Sequence, residues 1–435
     1  MIYLPKLFRI LLVILGSSAA FNTGSYSQYK SNESFDLIDL SSLPSYPFIQ
    51  YELNSIFHHP GASALNNTYE KLERMLFEGS TSLNILHIGG SHVQAGTLSN
   101  RIKENLIDLS GNSRGDLGFF FPYKLASTNG PANIKTSFTG NWQGCRCAVN
   151  SVDCDWGLSG YNASTSDSLA EVKIWSTKTD SSLYKFSEVA IFHNAGESGY
   201  CLELDPSLQV ISEETDFISG MTRFKLAQVS DSLKFRIFKH EEGSGIFTIN
   251  GIQLTNNDQG ITYNAIGVNG ASVPSYLKCE NFEVQLKQVL PDLVIFGIGI
   301  NDANVPNGDF NPEAFERNYD KLIALFRSAN PDVEFLFLTN NDSYYNRKRV
   351  NRNALLVRES MYKLAERHNA AVWDFFNIMG GLDSIRAWEQ AGLAKKDKVH
   401  LTVSGYLLQA DLLSYALRED FGNYLEQKYA AANKN

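Results

Sequence analysis

The 435-residue chain is short of positive charge: 38 lysines and arginines against 47 aspartates and glutamates leave a formal net charge of -9 and a pI near 5.5. No basic stripe is available for nucleic acid and no polybasic patch for an anionic membrane, so a neutral or cationic partner suits the chain better. Cysteine is also scarce, and none occurs before Cys145. The five present are Cys145, Cys147, Cys154, Cys201 and Cys279; they form no C-x-x-C pair, and no histidine lies beside the 145–154 cluster, so no metal is expected there. In an oxidising compartment a bridge within the cluster, or from it to Cys201, is open, and an odd number leaves one thiol free or intermolecular. Nicotinamide, phosphate-loop and metal motifs are all missing, as are internal repeats and low-complexity segments. No cofactor is expected. Long apolar runs are missing too, apart from one near the start. There Lys6 and Arg9 precede Ile10 to Leu15 and then small residues, the layout of a secretory signal peptide cleaved after Ala20 or just before Gln28. That run is too short to span a bilayer comfortably, and without an early cysteine the lipoprotein route is closed. Residues 1–27 are therefore read as a signal peptide, with the mature chain exported to a periplasm or beyond the cell and free of integral membrane segments.

What is present is organised around residues 83–98, LNILHIGGSHVQAGTL. Leu83, Ile85, Leu86 and Ile88 form the apolar run of a buried parallel strand, and Val93, Leu98, Ile102, Leu106 and Leu109 recur at helical spacing. Ser91 thus falls at a strand-to-helix turn, where unpaired N–H groups and the helix dipole favour developing negative charge. Taken alone the turn is a weak signal, since a serine there also caps a helix. Two further stretches change the balance. DLVIFGIGIND, Asp292 to Asp302, is a second buried strand ending in a glycine turn with the pair Asn301 and Asp302, and DKVHLTVSGY, Asp397 to Tyr406, sets a carboxylate three residues before His400.

Between these blocks the periodicity changes. From Asn129 to Thr262 short alternating segments such as EVKIWS, YKFSEVAIFH, TRFKLAQV and LKFRIFKH read as an antiparallel β-sandwich. Trp142, Trp156, Tyr161 and Trp175 either offer flat faces to sugar rings or fill the sandwich. Phe119 to Phe121 likewise either line a cleft or belong to the core. Before this segment a helix is expected over Ala64 to Phe77; after it, strands Ile261 to Gly267, Leu293 to Ile298, Val333 to Leu338 and Ala370 to Trp373 alternate with helices, closing on Thr402 to Leu417. Five strands alternating with helices predict a parallel sheet covered on both faces.

IGGSH, GVNGA at Gly267 to Ala271, GIND and the Asp397 to His400 pair stand in the order of the four sequence blocks of the SGNH/GDSL hydrolases, which this chain resembles over roughly residues 50–128 and 262–420. The resemblance implies a flavodoxin-like three-layer α/β domain with a five-stranded parallel sheet in the order 2-1-3-4-5, made of residues 28–128 and 263–435. Residues 129–262 are then an inserted sandwich similar to a carbohydrate-binding module, as in bacterial peptidoglycan and polysaccharide O-acetylesterases. It further implies a secreted carboxylic ester hydrolase that removes acyl groups, acetyl foremost, from a polysaccharide or peptidoglycan. Ser91 would be the nucleophile, His400 its base and Asp397 the group that orients the base. Ser91, Gly270 and Asn301 would supply the oxyanion hole, with Gly270 preferred to Gly267 and Asp302 as support. His92 would project away from Ser91 if the helix begins there, and is read as a residue that supports the site from behind or is structural.

The family's first block is usually G-D-S, and here Gly90 stands in place of the aspartate. Either φ is negative here and the turn is a loosened form of the ordinary one, or the turn has been rebuilt around a positive φ that only glycine adopts, the reading favoured because the other blocks are kept. Two rival classes share these residues: an O-acyltransfer protein with the same triad, and a non-catalytic glycan-binding protein.

Overall fold

The computed structural model describes residues 43–111, 115–177, 185–196, 199–240 and 245–432. The expected signal peptide, residues 1–27, lies outside them.

Six strands form the central sheet: β1 (Ile56–Phe57), β2 (Ser82–Gly89), β3 (Gly260–Gly267), β4 (Leu293–Gly297), β5 (Glu334–Leu338) and β6 (Ala371–Trp373). Their spatial order is β1-β6-β5-β4-β2-β3, and β2 to β6 are mutually parallel, which reproduces the expected 2-1-3-4-5 arrangement. The sixth strand was not foreseen. β1 pairs antiparallel with β6, Ile56 opposite Trp373 and Phe57 opposite Val372. Two residues are too few to show an alternating pattern, yet they cover the edge that β6 would otherwise expose.

Each strand is apolar on both faces because helices cover both. From β2, Leu83 and Ile85 join a core with the helices α1 (Asn66–Glu78), α3 (Thr97–Leu109) and α8 (Val403–Ala432), through Leu72, Ile102, Leu106 and Leu413. Leu86 and Ile88 face the other layer, with Phe282, Phe326 and Met361 from the helices Phe282–Val289, Pro312–Ala329 and Asn353–His368. α1 starts where a strand caps it. The Glu334 carboxylate, at the start of β5, accepts from Asn67 N (2.9 Å), Thr68 N (2.8 Å) and Thr68 Oγ1 (2.7 Å), placing negative charge on a helix N-terminus. α8 runs well past the expected Leu417, because Phe421 and Leu425 continue its buried stripe.

The inserted segment forms two antiparallel sheets. One has Ile134–Phe138, Leu169–Ser176, Ser232–Lys239 and Tyr200–Leu204 in that order; the other runs Val210–Asp216, Met221–Ser230, Phe186–His193, Phe247–Thr255, Tyr161–Thr165, Gln143–Arg146. The second sheet reaches outside residues 129–262: Gly118–Phe120 pairs with Phe247–Thr255. Phe119, Phe120 and Phe121 are thereby buried, with Phe120 and Phe121 also bordering a groove at the edge of this core, and Trp156 and Tyr161 are buried with them in a cluster shared by Leu86, Ile88 and Phe296 of the central sheet. The sandwich interior and one layer of the α/β domain are thus a single apolar body. Cys145 and Cys154 form a disulfide, while Cys147 and Cys279 are buried thiols and Cys201 is a partly exposed one, with its Sγ 3.2 Å from His240 Nε2.

Candidate active site

β2, β3 and β4 end on three glycines in register: Gly89 lies between Gly267 and Gly297. This bare row lets the short helix α2 (Ser91–Gln94) lie directly across the strand ends. A Cβ on Gly267 would come within 2.1 Å of Gln94 N, and one on Gly89 within 2.4 Å of Val93 Cγ2. The apolar run followed by Gly-Gly is therefore what allows Ser91 to stand over the sheet.

Ser91 Oγ lies 2.8 Å from His400 Nε2, and His400 Nδ1 lies 2.8 Å from Asp397 Oδ2. With Asp397 ionised, Nδ1 carries the proton and Nε2 is the acceptor facing the serine hydroxyl. The pair sits on a tight loop. Asp397 Oδ1 accepts from Val399 N and His400 N, both at 3.0 Å, so the carboxylate curls back over the three-residue spacing. Partial burial pushes the Asp397 carboxyl up, but the hydrogen bonds from the His400 N–H, its ring and the Val399 N–H outweigh it and hold the group below the ordinary carboxylate range. The His400 side chain is 30% exposed, so the site opens to solvent.

Two loops close around Ser91, each tied by side chains. Asn301 Nδ2 donates to Ala271 O (2.8 Å) with one of its two hydrogens, and the Asp302 carboxylate accepts from Val273 N (3.1 Å). Desolvation raises Asp302 to about 7 despite that backbone donor. Gly270 has φ +83°, and among the described residues its N–H has no acceptor. The rival Gly267 is occupied, because its N–H donates to Tyr123 Oη (3.3 Å). Gly90 corrects the sequence-based expectation: its φ is -96°, outside the left-handed region. What the residue avoids is a contact, since a Cβ there would sit 3.2 Å from Asn301 Nδ2.

Two groups at the site, Gln94 and Tyr276, were not singled out by the sequence reading. Gln94, one turn after Ser91 and 1% exposed, accepts from Asn269 N (2.6 Å) and Tyr161 Oη (3.1 Å) and donates to Asn129 O (2.7 Å), tying the Gly270 turn and the sandwich to α2. Tyr276 Oη donates to Gly89 O (2.7 Å) beneath the turn. His92, read as a supporting or structural residue, is buried with Nδ1 2.8 Å from Tyr406 Oη, and its ring also stacks on His400 at 5.2 Å and 24°. Burial, then the neighbouring His400, lowers it to about 3, so it is neutral across the working range. The i+1 and i+3 positions after a candidate nucleophile were the available signal for His92 and Gln94. Behind them His87 Nε2, His92 Nε2, Asn340 Nδ2 and Gln409 Oε1 have no hydrogen-bond partner among the described residues, and their side chains border a cavity of about 30 Å³, room enough for one water. No group of metal-ligating side chains occurs among the described residues.

The model of the GDSL-like lipase/acylhydrolase family matches residues 250–408. Among solved structures, a peptidoglycan O-acetylesterase aligns at 22% identity over 81% of this chain and 95% of its own, with a TM-score of 0.64. The fold is that of the SGNH hydrolases. Two further structures align over smaller shares: a lipase/acylhydrolase from Enterococcus faecalis at 18% identity over 37% of this chain and 77% of its own (TM-score 0.29), and an acetyl xylan esterase at 20% over 36% and 81% (TM-score 0.29). No curated protein sequence matches the chain. The acylhydrolase family match is in keeping with the carboxylic ester hydrolase expected from the sequence. No helix among the described residues is long and apolar enough to cross a membrane.

Proposed function

We propose that this chain is an exported SGNH serine esterase that removes acyl groups, acetyl foremost, from a glycan through an acyl-enzyme. The observation that carries the reading is the relay of two 2.8 Å contacts from Ser91 through His400 to Asp397, assembled from stretches some three hundred residues apart. His400 Nε2 takes the hydroxyl proton as Ser91 Oγ attacks the acyl carbon. Negative charge develops on the acyl oxygen, where the Ser91 and Gly270 N–H groups and the free hydrogen of Asn301 Nδ2 are the candidate donors. Collapse breaks the ester C–O bond, and the departing sugar oxygen takes the proton from His400. Water then enters, gives a proton to the same nitrogen and attacks the acyl-enzyme, releasing the carboxylic acid and restoring Ser91.

A glycan substrate is favoured by the likeness to a peptidoglycan O-acetylesterase, which at 81% of this chain takes in part of the inserted segment. Hydrolysis is favoured over transfer by the solvent access of His400, and a non-catalytic role is disfavoured because Gly90 leaves the Ser91–His400 contact intact. The test is acetate release from acetylated glycans with water, and then with an added sugar, as acceptor. Release in water that disappears in Ser91→Ala supports the esterase; acetyl appearing on the added sugar faster than free acetate would instead favour transfer.

A further inference from the structure

Where the sandwich meets the α/β domain, a groove of about 410 Å³ opens beside the candidate site. Its near end is Thr128, whose Oγ1 accepts from Gln94 Nε2 (3.2 Å) and Asn269 Nδ2 (3.4 Å), so it begins one residue from Gly270 and one helical turn from Ser91. Its far end is Trp175 on the outer face of the four-stranded sheet, where Val172 and Ile174 turn inward and Lys173 and Trp175 outward. Lys135 is the cross-strand neighbour of Trp175, and Lys173 Nζ stands 5.8 Å from the indole centroid. The floor between is apolar, from Phe120, Phe121 and Pro122.

The charge here runs against the molecule as a whole. On a chain of net -9, Lys124 and Lys135 line this groove and no acidic residue does. Both lysines are exposed, and among the described residues neither reaches a carboxylate, whereas Lys234 and Arg236 on the same sheet are paired with Glu171 and Glu203. A half-buried indole flanked by unpaired ammonium groups suits a ring with one apolar C–H face and an anionic substituent at its edge. Resting on the esterase reading for what lies at Ser91, we propose that this groove is a glycan subsite for a sugar bearing a carboxylate, stacked on Trp175 and paired with Lys135 and Lys124.

The test separates binding from ester chemistry by using the full chain with Ser91→Ala and unacylated ligands. Affinities for trigalacturonate and for neutral galactotriose are measured by calorimetry at low and at moderate salt. The carboxylated sugar should bind at least about 10-fold more tightly at low salt, with the advantage shrinking as salt rises. Lys135→Gln with Lys124→Gln should abolish that preference, Trp175→Ala should weaken both ligands, and Trp175→Phe, which keeps a flat ring, should restore most of the binding. Equal affinity for the two sugars, no binding of trigalacturonate, or binding indifferent to Trp175→Ala in a protein of unchanged melting temperature would each overturn the proposal.

Discussion

At the scale of single residues, the candidate site depends on how closely Gly90 and Asn301 approach. Asn301→Ala should lower kcat by roughly 10²-fold with little change in KM, the size of one lost oxyanion donor. Gly90→Ala puts no side chain in the left-handed region, since φ is -96°, but its methyl meets Asn301 Nδ2 at 3.2 Å, so the amide must give by a few tenths of an ångström. We expect about a 3- to 10-fold fall in kcat at constant melting temperature. In an Asn301→Ala background the same change should do nothing further, and an undiminished effect there would place the damage elsewhere. His92 poses a separate question, because it touches His400 by stacking and not by a proton. His92→Phe keeps a flat ring and should retain most of kcat, whereas His92→Ala should cost about 10-fold. Equal losses in the two would mean that the imidazole nitrogens matter, through Tyr406 or the small cavity behind.

At the scale of elements, α2 and the loops it holds form the working unit, with Gln94 as the tie. Gln94→Leu leaves Asn269 N and Tyr161 Oη without their buried acceptor and frees the turn that presents Gly270. It should lower kcat by about 10- to 100-fold, more than it raises KM, and a Gln94→Glu variant should recover part because the acceptor returns. A loss confined to stability would make Gln94 a packing residue only. The same contacts bear on the inserted sheets. The α/β part has a complete set of strands, which on paper allows it to fold alone, but Tyr161 reaches Gln94 and Leu158 N donates to Gln285 Oε1 (2.9 Å), so removing the insert strips support from the site. These ties explain what could be read beforehand. The strand-turn-helix at Ser91 and the five parallel strands follow from local periodicity, which a sequence displays directly. Gln94 could not be recognised, because its partners Asn269, Tyr161 and Asn129 come together only in three dimensions. Phe119 to Phe121, Trp156 and Tyr161 read alike whether they line a cleft or fill a core, and only the three-dimensional packing shows that all are buried while Phe120 and Phe121 also border the groove.

At the scale of the whole molecule, stability should depend on acid in a way that individual groups reveal. His193, in the sandwich with Nε2 2.8 Å from Thr222 Oγ1, is lowered by burial to about 4. Between about pH 6.5 and 4 the unfolded chain therefore holds a proton that the native histidine refuses, and stability falls as pH falls. Asp302 and Asp342, raised by burial to about 7 and about 6, act with the opposite sign over much of that window, since the native state protonates them first. The net slope is thus a difference, and the variant isolates one contribution. Relative to His193→Gln, the parent should lose about 1 kcal/mol per pH unit between pH 6 and 4, measured by denaturant unfolding. Parallel curves would mean that His193 is solvated or protonated in the native state.

The account as a whole turns on whether Ser91 forms a covalent acyl intermediate, and the most direct measurement is the steady-state release of acetate from a small activated ester by the parent and by Ser91→Ala at matched folding. The account predicts a loss on the order of 10⁴-fold or more, with His400→Ala comparable and the double variant no worse, because the residues act as one unit. Equal turnover in the parent and Ser91→Ala would contradict it.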